Sequence, residues 1–230
     1  MVTENITGKD VNDGVPMLAY IAMGMAEPVD RAAGWYNIDF NVESIYLEND
    51  YDSEKTTEVS KEKIVERIKY FIQNPKEFIS YYKDKILTTW AEPTFQSIWF
   101  SEPMEESEEN IEYIEYVKSN KLIPSIFEGK ISNLIIKYLD IYQIIIYIFS
   151  FVYVVISIKN KEFDEKNILL ILIFLGGFLF HILWETKSLY AMPYFYVLIP
   201  VAVMGIIKTF EFIDSKIIKL KNKKEVKISG

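Results

Sequence analysis

The stretch FHILWETKSLYAMPYF, residues 180–195, holds the chain's single histidine, His181, with Glu185 and Lys187 close behind it. On a helix, a histidine and a carboxylate four residues apart share one face, with Cβ atoms about 5–6 Å apart. An imidazole beside a carboxylate can shuttle a proton or hydrogen-bond hydroxyl groups, and a neighbouring lysine attracts an anion. Ser188, Tyr190 and Tyr194 add hydroxyls, and Pro193 and Pro200 follow where a missing N–H loosens a helix. The competing reading is anchoring at a membrane surface, with Glu185 and Lys187 among headgroups and Trp184 and Tyr190 as an aromatic belt. An ionised group at a bilayer centre costs about 2.5–3.5 kcal/mol, so polar residues within apolar helices tend to face a protein interior or a water-filled cavity. That tendency and the mix of chemistries favour a site.

The elements that must position these residues are strongly apolar. Three stretches of 18 to 20 residues carry no Asp, Glu, Lys or Arg: Ile141–Ile158, Asn167–Trp184 and Ser188–Ile207. At about 1.5 Å rise per residue, a helix of that length crosses a hydrocarbon core of about 30 Å. A 230-residue soluble chain could not wrap three helices apolar on every side. The sequence therefore predicts transmembrane helices over about 141–158, 167–184 and 189–207, within a membrane region spanning 134–213.

Charge supplies an orientation. Residues 1–133 hold 25 acidic and 13 basic side chains, whereas 134–230 hold 8 and 12. From Lys208 onward the tail has seven lysines, against one in the turn ETKS. Lysine-rich flanks stay in the cytoplasm, so residues 214–230 form a basic cytoplasmic tail and the turn lies outside. Three crossings then make residues 1–133 an extracytoplasmic domain, and the chain a multi-pass protein of the cell membrane. Export of such a domain calls for a signal peptide or an earlier membrane helix, and MVTENITGKDVNDG resembles neither. The expectation is a C-terminal piece of a longer polytopic protein, whose N-terminal transmembrane part is its partner.

The 1–133 region reads as mainly helical. In EVSKEKIVERIKYFIQNP, Ile64, Val65, Ile68, Phe71 and Ile72 recur at helical spacing, with Ser60 as the expected N-cap and Pro75 closing the run. Asn74 would cap the next helix, whose expected apolar face is Phe78, Ile79, Tyr82, Ile86, Leu87 and Trp90. The fold class expected is mainly α: a helical domain followed by three transmembrane helices.

Other motifs carry less. Asp50 and Asp52 in NDYD have the D-x-D spacing that holds a divalent cation in some glycosyltransferases, yet an oxygen cage needs more ligands than these. A divalent cation is thus the one cofactor candidate, with no metal ligand assigned. The glutamate-rich run from Glu102 to Glu115 fits a solvated face or loop, and Asn5 heads a sequon by pattern only. Phosphate-loop, zinc and serine-protease signatures are missing, and no nucleic-acid partner is expected.

FHILWETKSLYAMPYFYVLIPVAVMGI resembles the closing segment of bacterial GT-C-type multi-pass glycosyltransferases, related to the dolichyl-phosphate-mannose protein mannosyltransferase group. GVPMLAYIAMGM, AGWYNIDF, ENDYD, KIVERIKYFIQNP and KILTTWAEPTFQSIW resemble, in that order, the extracytoplasmic stretch that precedes it. The resemblance implies transfer of a sugar from a polyprenyl-phosphate donor to an envelope acceptor at the outer membrane face, by inverting displacement. It implies that Lys187 faces the donor phosphate, that Glu185 and His181 orient it or bind sugar hydroxyls, and that Tyr190 and Tyr194 line the lipid or sugar path. Leu189 stands where many relatives place a polar residue. The family's carboxylate base lies in a first extracytoplasmic loop with no counterpart here, so no catalytic residue is assigned and this chain alone is expected to be inactive. The rival from another class is a membrane-anchored interaction protein without catalysis. A transporter would need an internal repeat, which three spans do not show.

Overall fold

The computed structural model describes residues 14–29, 31–37, 40–98, 122–127, 130–162 and 164–228. The Asn5 sequon and the glutamate run of 102–115 lie outside them. Every regular element among the described residues is a helix: α1 (Met17–Gly24), α2 (Val42–Glu48), α3 (Ser53–Gln73), α4 (Pro75–Trp90), α5 (Leu122–Phe127), α6 (Lys130–Asn160), α7 (Glu165–Leu183) and α8 (Ser188–Ile228). The chain is mainly α, as its periodicity predicts, with three helices long and apolar enough to cross a membrane.

Two compact units form. The first joins residues 1–92 to 178–191, and the second joins 93–177 to 192–230. The division is made in space and not at a single point near residue 133, because the turn between α7 and α8 is hydrogen-bonded to residues 33–34 and 85 of the N-terminal region.

The first unit begins with α1, entered from Pro16 in extended conformation. Its Ala19, Ala22 and Met23 are buried against Phe40, Val42 and Ile45, the last two on α2. Asn41 caps α2, its side chain accepting from the Glu43 N–H at 3.0 Å. Asp52 caps α3 by accepting from the N–H groups of Glu54 and Lys55 at 2.9 and 3.0 Å. Asp50 and Tyr51, both left-handed with φ of 58°, turn the chain into that cap. The hydrogen bond from the Lys55 N–H is the main reason that the Asp52 carboxyl lies below its ordinary pKa. Asp52 of the D-x-D pair thus has a structural task, with Lys55 3.8 Å from both carboxylates. Among the described residues no cluster of three or more His, Asp or Glu side chains is placed to hold a metal.

Four local expectations are corrected. Ser60 is not an N-cap: α3 starts at Ser53, and the fully buried Ser60 donates its hydroxyl to the Thr56 carbonyl at 2.6 Å. Asn74 does not cap α4 with its side chain, which instead donates back to the Tyr70 carbonyl at 2.9 Å. The buried face of α4 is Tyr81, Lys85, Thr89 and Trp90, while Phe78, Ile79 and Leu87 are 45%, 65% and 50% exposed. On α3, Phe71 is buried but Val65, Ile68 and Ile72 are exposed. The physical reason is that this interior presents backbone carbonyls. An apolar stripe would leave those acceptors unsatisfied, so side chains with polar tips and long apolar stems turn inward.

In the second unit, Ile146 of α6 and Phe195, Leu198 and Ala202 of α8 form a core with Phe95. A Cβ on Gly205 would collide with the Phe149 carbonyl oxygen, so this glycine lets two helices approach at backbone distance. Ser150 donates to the Leu198 carbonyl at 3.2 Å, and Asn167 donates to the Tyr153 hydroxyl at 3.1 Å. Helix α8 runs unbroken through Pro193 and Pro200 and continues to Ile228, taking in most of the tail predicted as a separate segment. Helix α6 likewise starts at Lys130, well before residue 141.

Loss of the Asp52 cap should lower stability by about 1 kcal/mol. Thermal unfolding in detergent should show a lower midpoint for Asp52→Ala and none of this loss for Asp50→Asn, which keeps a side chain that tolerates the left-handed backbone at a position that caps nothing.

Candidate functional site

The turn that carries Glu185 is built into the first unit by a lysine that the sequence pattern hides. Lys85, on the inner face of α4, is only 1% exposed. Its ammonium donates to the carbonyl of Gly24 at the end of α1, and to the carbonyl of Trp184 at 2.6 Å. The Tyr81 hydroxyl, one helical turn earlier, donates to the same Gly24 carbonyl at 3.0 Å. These donors satisfy carbonyls that α1 and α7 leave over at their C-terminal ends.

The second tether is Thr186, fully buried. Its N–H donates to the Gly34 carbonyl at 2.7 Å, and its hydroxyl to the Ala33 carbonyl at 2.7 Å. The 33–34 loop is in turn held by Asp84, which accepts from the Ala33 N–H at 2.9 Å. Gly34 has φ of +75°, and a Cβ there would stand 2.8 Å from the Lys85 ammonium and 2.7 Å from the Thr186 hydroxyl. Only glycine combines that backbone with that proximity. A third tether is Ser188, which donates to Glu92 at 2.8 Å just beyond α4.

Aromatic rings enclose the turn. Trp184 stacks on Tyr20 of α1 at 5.0 Å with planes 7° apart, and on Phe180 at 4.8 Å. His181 lies edge-on to Trp90 at 6.2 Å and stacks with Tyr190 at 6.1 Å. Glu185 lies close to Tyr190, and the Lys187 ammonium sits 5.3 Å from the Tyr190 ring centre. His181, Glu185, Lys187 and Tyr190 are therefore brought together as their spacing predicts. Tyr194 belongs to the second unit, where its ring lies against Gly177.

Exposure divides the predicted residues. His181 and Glu185 are only 4% and 7% exposed, whereas Lys187 is half-buried and Tyr190 reaches the surface. Burial raises the Glu185 pKa, opposed by Lys187, the Tyr190 hydrogen bond and Lys85. Burial pulls the Lys85 pKa down to about 7, opposed by the Glu185 carboxylate. Two concavities of the first unit, of about 410 and 600 Å³, are lined by other residues, with Leu183 of the second the nearest in sequence to the turn.

Sequence reading missed Lys85, Thr186, Glu92 and Tyr20. The available signal was the i, i+4, i+8 series Tyr81, Lys85, Thr89 within a helix otherwise marked by its apolar residues. Comparison with family models, curated proteins and solved structures gave no match.

The lowered pKa of Lys85 fixes a pH signature. Between about 7 and its ordinary value of 10.5, the unfolded chain holds a proton on this lysine that the folded chain lacks, so this group makes stability rise with pH. The slope contributed by one proton is at most about 1.4 kcal/mol per pH unit. Chemical unfolding in detergent from pH 7 to 10 should show that rise in the native chain and a flatter profile in Lys85→Met.

Proposed function

We propose that this chain is the C-terminal portion of a membrane glycosyltransferase that moves a sugar from a polyprenyl-phosphate donor to a cell-envelope acceptor at the outer face of the membrane. The observation that carries the reading is Lys187 and Tyr190, held beside the buried His181 and Glu185 on a tethered turn between two helices long and apolar enough to cross a membrane. A phosphate attached to a lipid chain requires an anion site at that depth.

In the displacement, an acceptor oxygen bonds to the anomeric carbon while the carbon–oxygen bond to phosphate breaks. The electron pair departs with the phosphate, and the acceptor proton passes to a carboxylate base that none of these residues supplies. Lys187 is half-buried at the turn and its charge stabilises the departing phosphate. Tyr190 presents its ring to the lipid or sugar. Glu185 and His181, both buried, act through those two: Glu185 lies beside Tyr190 and Lys187, and His181 stacks on the Tyr190 ring.

A second reading, a membrane-anchored extracytoplasmic interaction protein, draws on the burial of His181, Glu185, Thr186 and Ser188, whose polar groups then serve only to fix the turn. Photolabelling separates the two. The chain in lipid nanodiscs should be labelled near residues 187–190 by a photoreactive polyprenyl phosphate, and excess unlabelled polyprenyl phosphate should compete. Lys187→Ala should reduce labelling about tenfold, the effect of losing roughly 1.4 kcal/mol of phosphate interaction, while the folded fraction is unchanged. Labelling that is indifferent to this substitution and to the competitor would leave the interaction protein as the reading.

A further inference from the structure

The α3–α4 hairpin has an apolar edge that its own unit does not cover. Around the bend, Ile68, Ile72, Phe78 and Ile79 are exposed, Ile72 by 73%, and only Phe71 turns fully inward. Ile68, Ile72, Pro75 and Phe78 line a groove of about 600 Å³, together with residues that include Ile21, Met25 and Leu183. In water such an edge would be an aggregation surface, and a lone helical hairpin gains nothing by displaying it.

Leu183 identifies the occupant. It is the last residue of α7, a helix long and apolar enough to cross a membrane, so the groove lies at one end of that helix. Trp184 and Tyr20, stacked just beyond Leu183, are residue types that settle at the boundary between hydrocarbon and headgroups. Charge agrees. Residues 1–133 hold 25 acidic and 13 basic side chains, yet residues 61–83 hold six basic and three acidic ones. Lys69 and Lys76, next to the bend, are both exposed. Apolar residues flanked by lysines are the signature of a helix lying in a membrane interface and drawn to anionic headgroups.

We infer that the α3–α4 bend is seated in the bilayer surface at the level where α7 ends, with a hydrocarbon chain of a membrane phospholipid in the groove and Lys69 and Lys76 against anionic headgroups. The bend then acts as a further anchor for the first unit, fixing its height above the bilayer independently of any sugar-transfer chemistry.

The chain contains no cysteine, so single sites can be labelled in the full-length protein. Ile72→Cys and Phe78→Cys, each carrying an environment-sensitive fluorophore, should emit at shorter wavelength in nanodiscs than the same label at the exposed Glu62→Cys. Shallow spin-labelled phospholipids should quench them several-fold more than they quench the control, and aqueous iodide several-fold less. The contrast should be larger in bilayers containing phosphatidylglycerol than in phosphatidylcholine alone, and Lys69→Glu with Lys76→Glu should remove that difference. Iodide quenching equal to the control would overturn the proposal. Shielding from iodide without quenching by the spin-labelled lipid would also overturn it, since a protein would then cover the groove. Equal behaviour in the two bilayers would overturn the role given to the lysines.

Discussion

One buried lysine ties the turn between α7 and α8 into the first unit. Lys85 reaches inward from α4 to bind the carbonyl oxygens of Gly24 and Trp184, residues far apart in sequence that both sit near helix C-termini. Burying a lysine is unfavourable unless its proton donors find acceptors, and an orphaned carbonyl is unfavourable unless it finds a donor. Each requirement meets the other here. Hydrogen bonds involving a charged group contribute about 1.5–3 kcal/mol, so losing this lysine would cost more than an apolar vacancy: the Trp184 carbonyl would lose its lysine donor and the Gly24 carbonyl would keep only the Tyr81 hydroxyl. Gly24 and Gly34 follow from the same constraint, since a Cβ on Gly24 would stand 2.6 Å from the Trp184 carbonyl oxygen, and one on Gly34 would crowd the ammonium itself.

The consequence is a turn with very little freedom. Residues 184–188 join two helices that each could cross a membrane, and such a connection would ordinarily be a loop at the mercy of its surroundings. Thr186 bonds to residues 33 and 34, Ser188 to Glu92, and Trp184 stacks on Tyr20. With its neighbours fixed, Lys187 and Tyr190 present a defined cation and ring, while Glu185 and His181 support them from beneath. Preorganisation of this kind is what a site for an anionic lipid headgroup would require, because the groups do not need to be ordered again at each binding event.

Much of this was legible from residue spacing, and the failures share a cause. The uncharged runs located α6, α7 and α8 because hydrocarbon tolerates no alternative. The pairing of His181 with Glu185 followed from helical geometry, and Pro75 marked the start of α4 correctly. What the pattern could not show was an interior made of carbonyls. Periodicity arguments assume that buried means apolar, so they assigned Phe78, Ile79 and Leu87 to the inside of α4 and passed over Tyr81, Lys85 and Thr89. Ser60 misleads in a similar way: a buried serine bonded to the preceding turn looks, in one dimension, like a serine that starts a helix. The short stretches GVPMLAYIAMGM, AGWYNIDF and KILTTWAEPTFQSIW, unremarkable singly, contribute Gly24, Gly34, and Lys85 with Glu92 to one place in space.

Hydrogen exchange read by mass spectrometry, on the full chain in nanodiscs, tests the central role of Lys85 most directly. The lock predicts that the Thr186 amide and the amides of residues 22–25 exchange slowly in the native protein, and that Lys85→Ala releases both segments together while α6 keeps its protection. Fast exchange at Thr186 in the native chain, or protection there that survives the loss of Lys85, would contradict it.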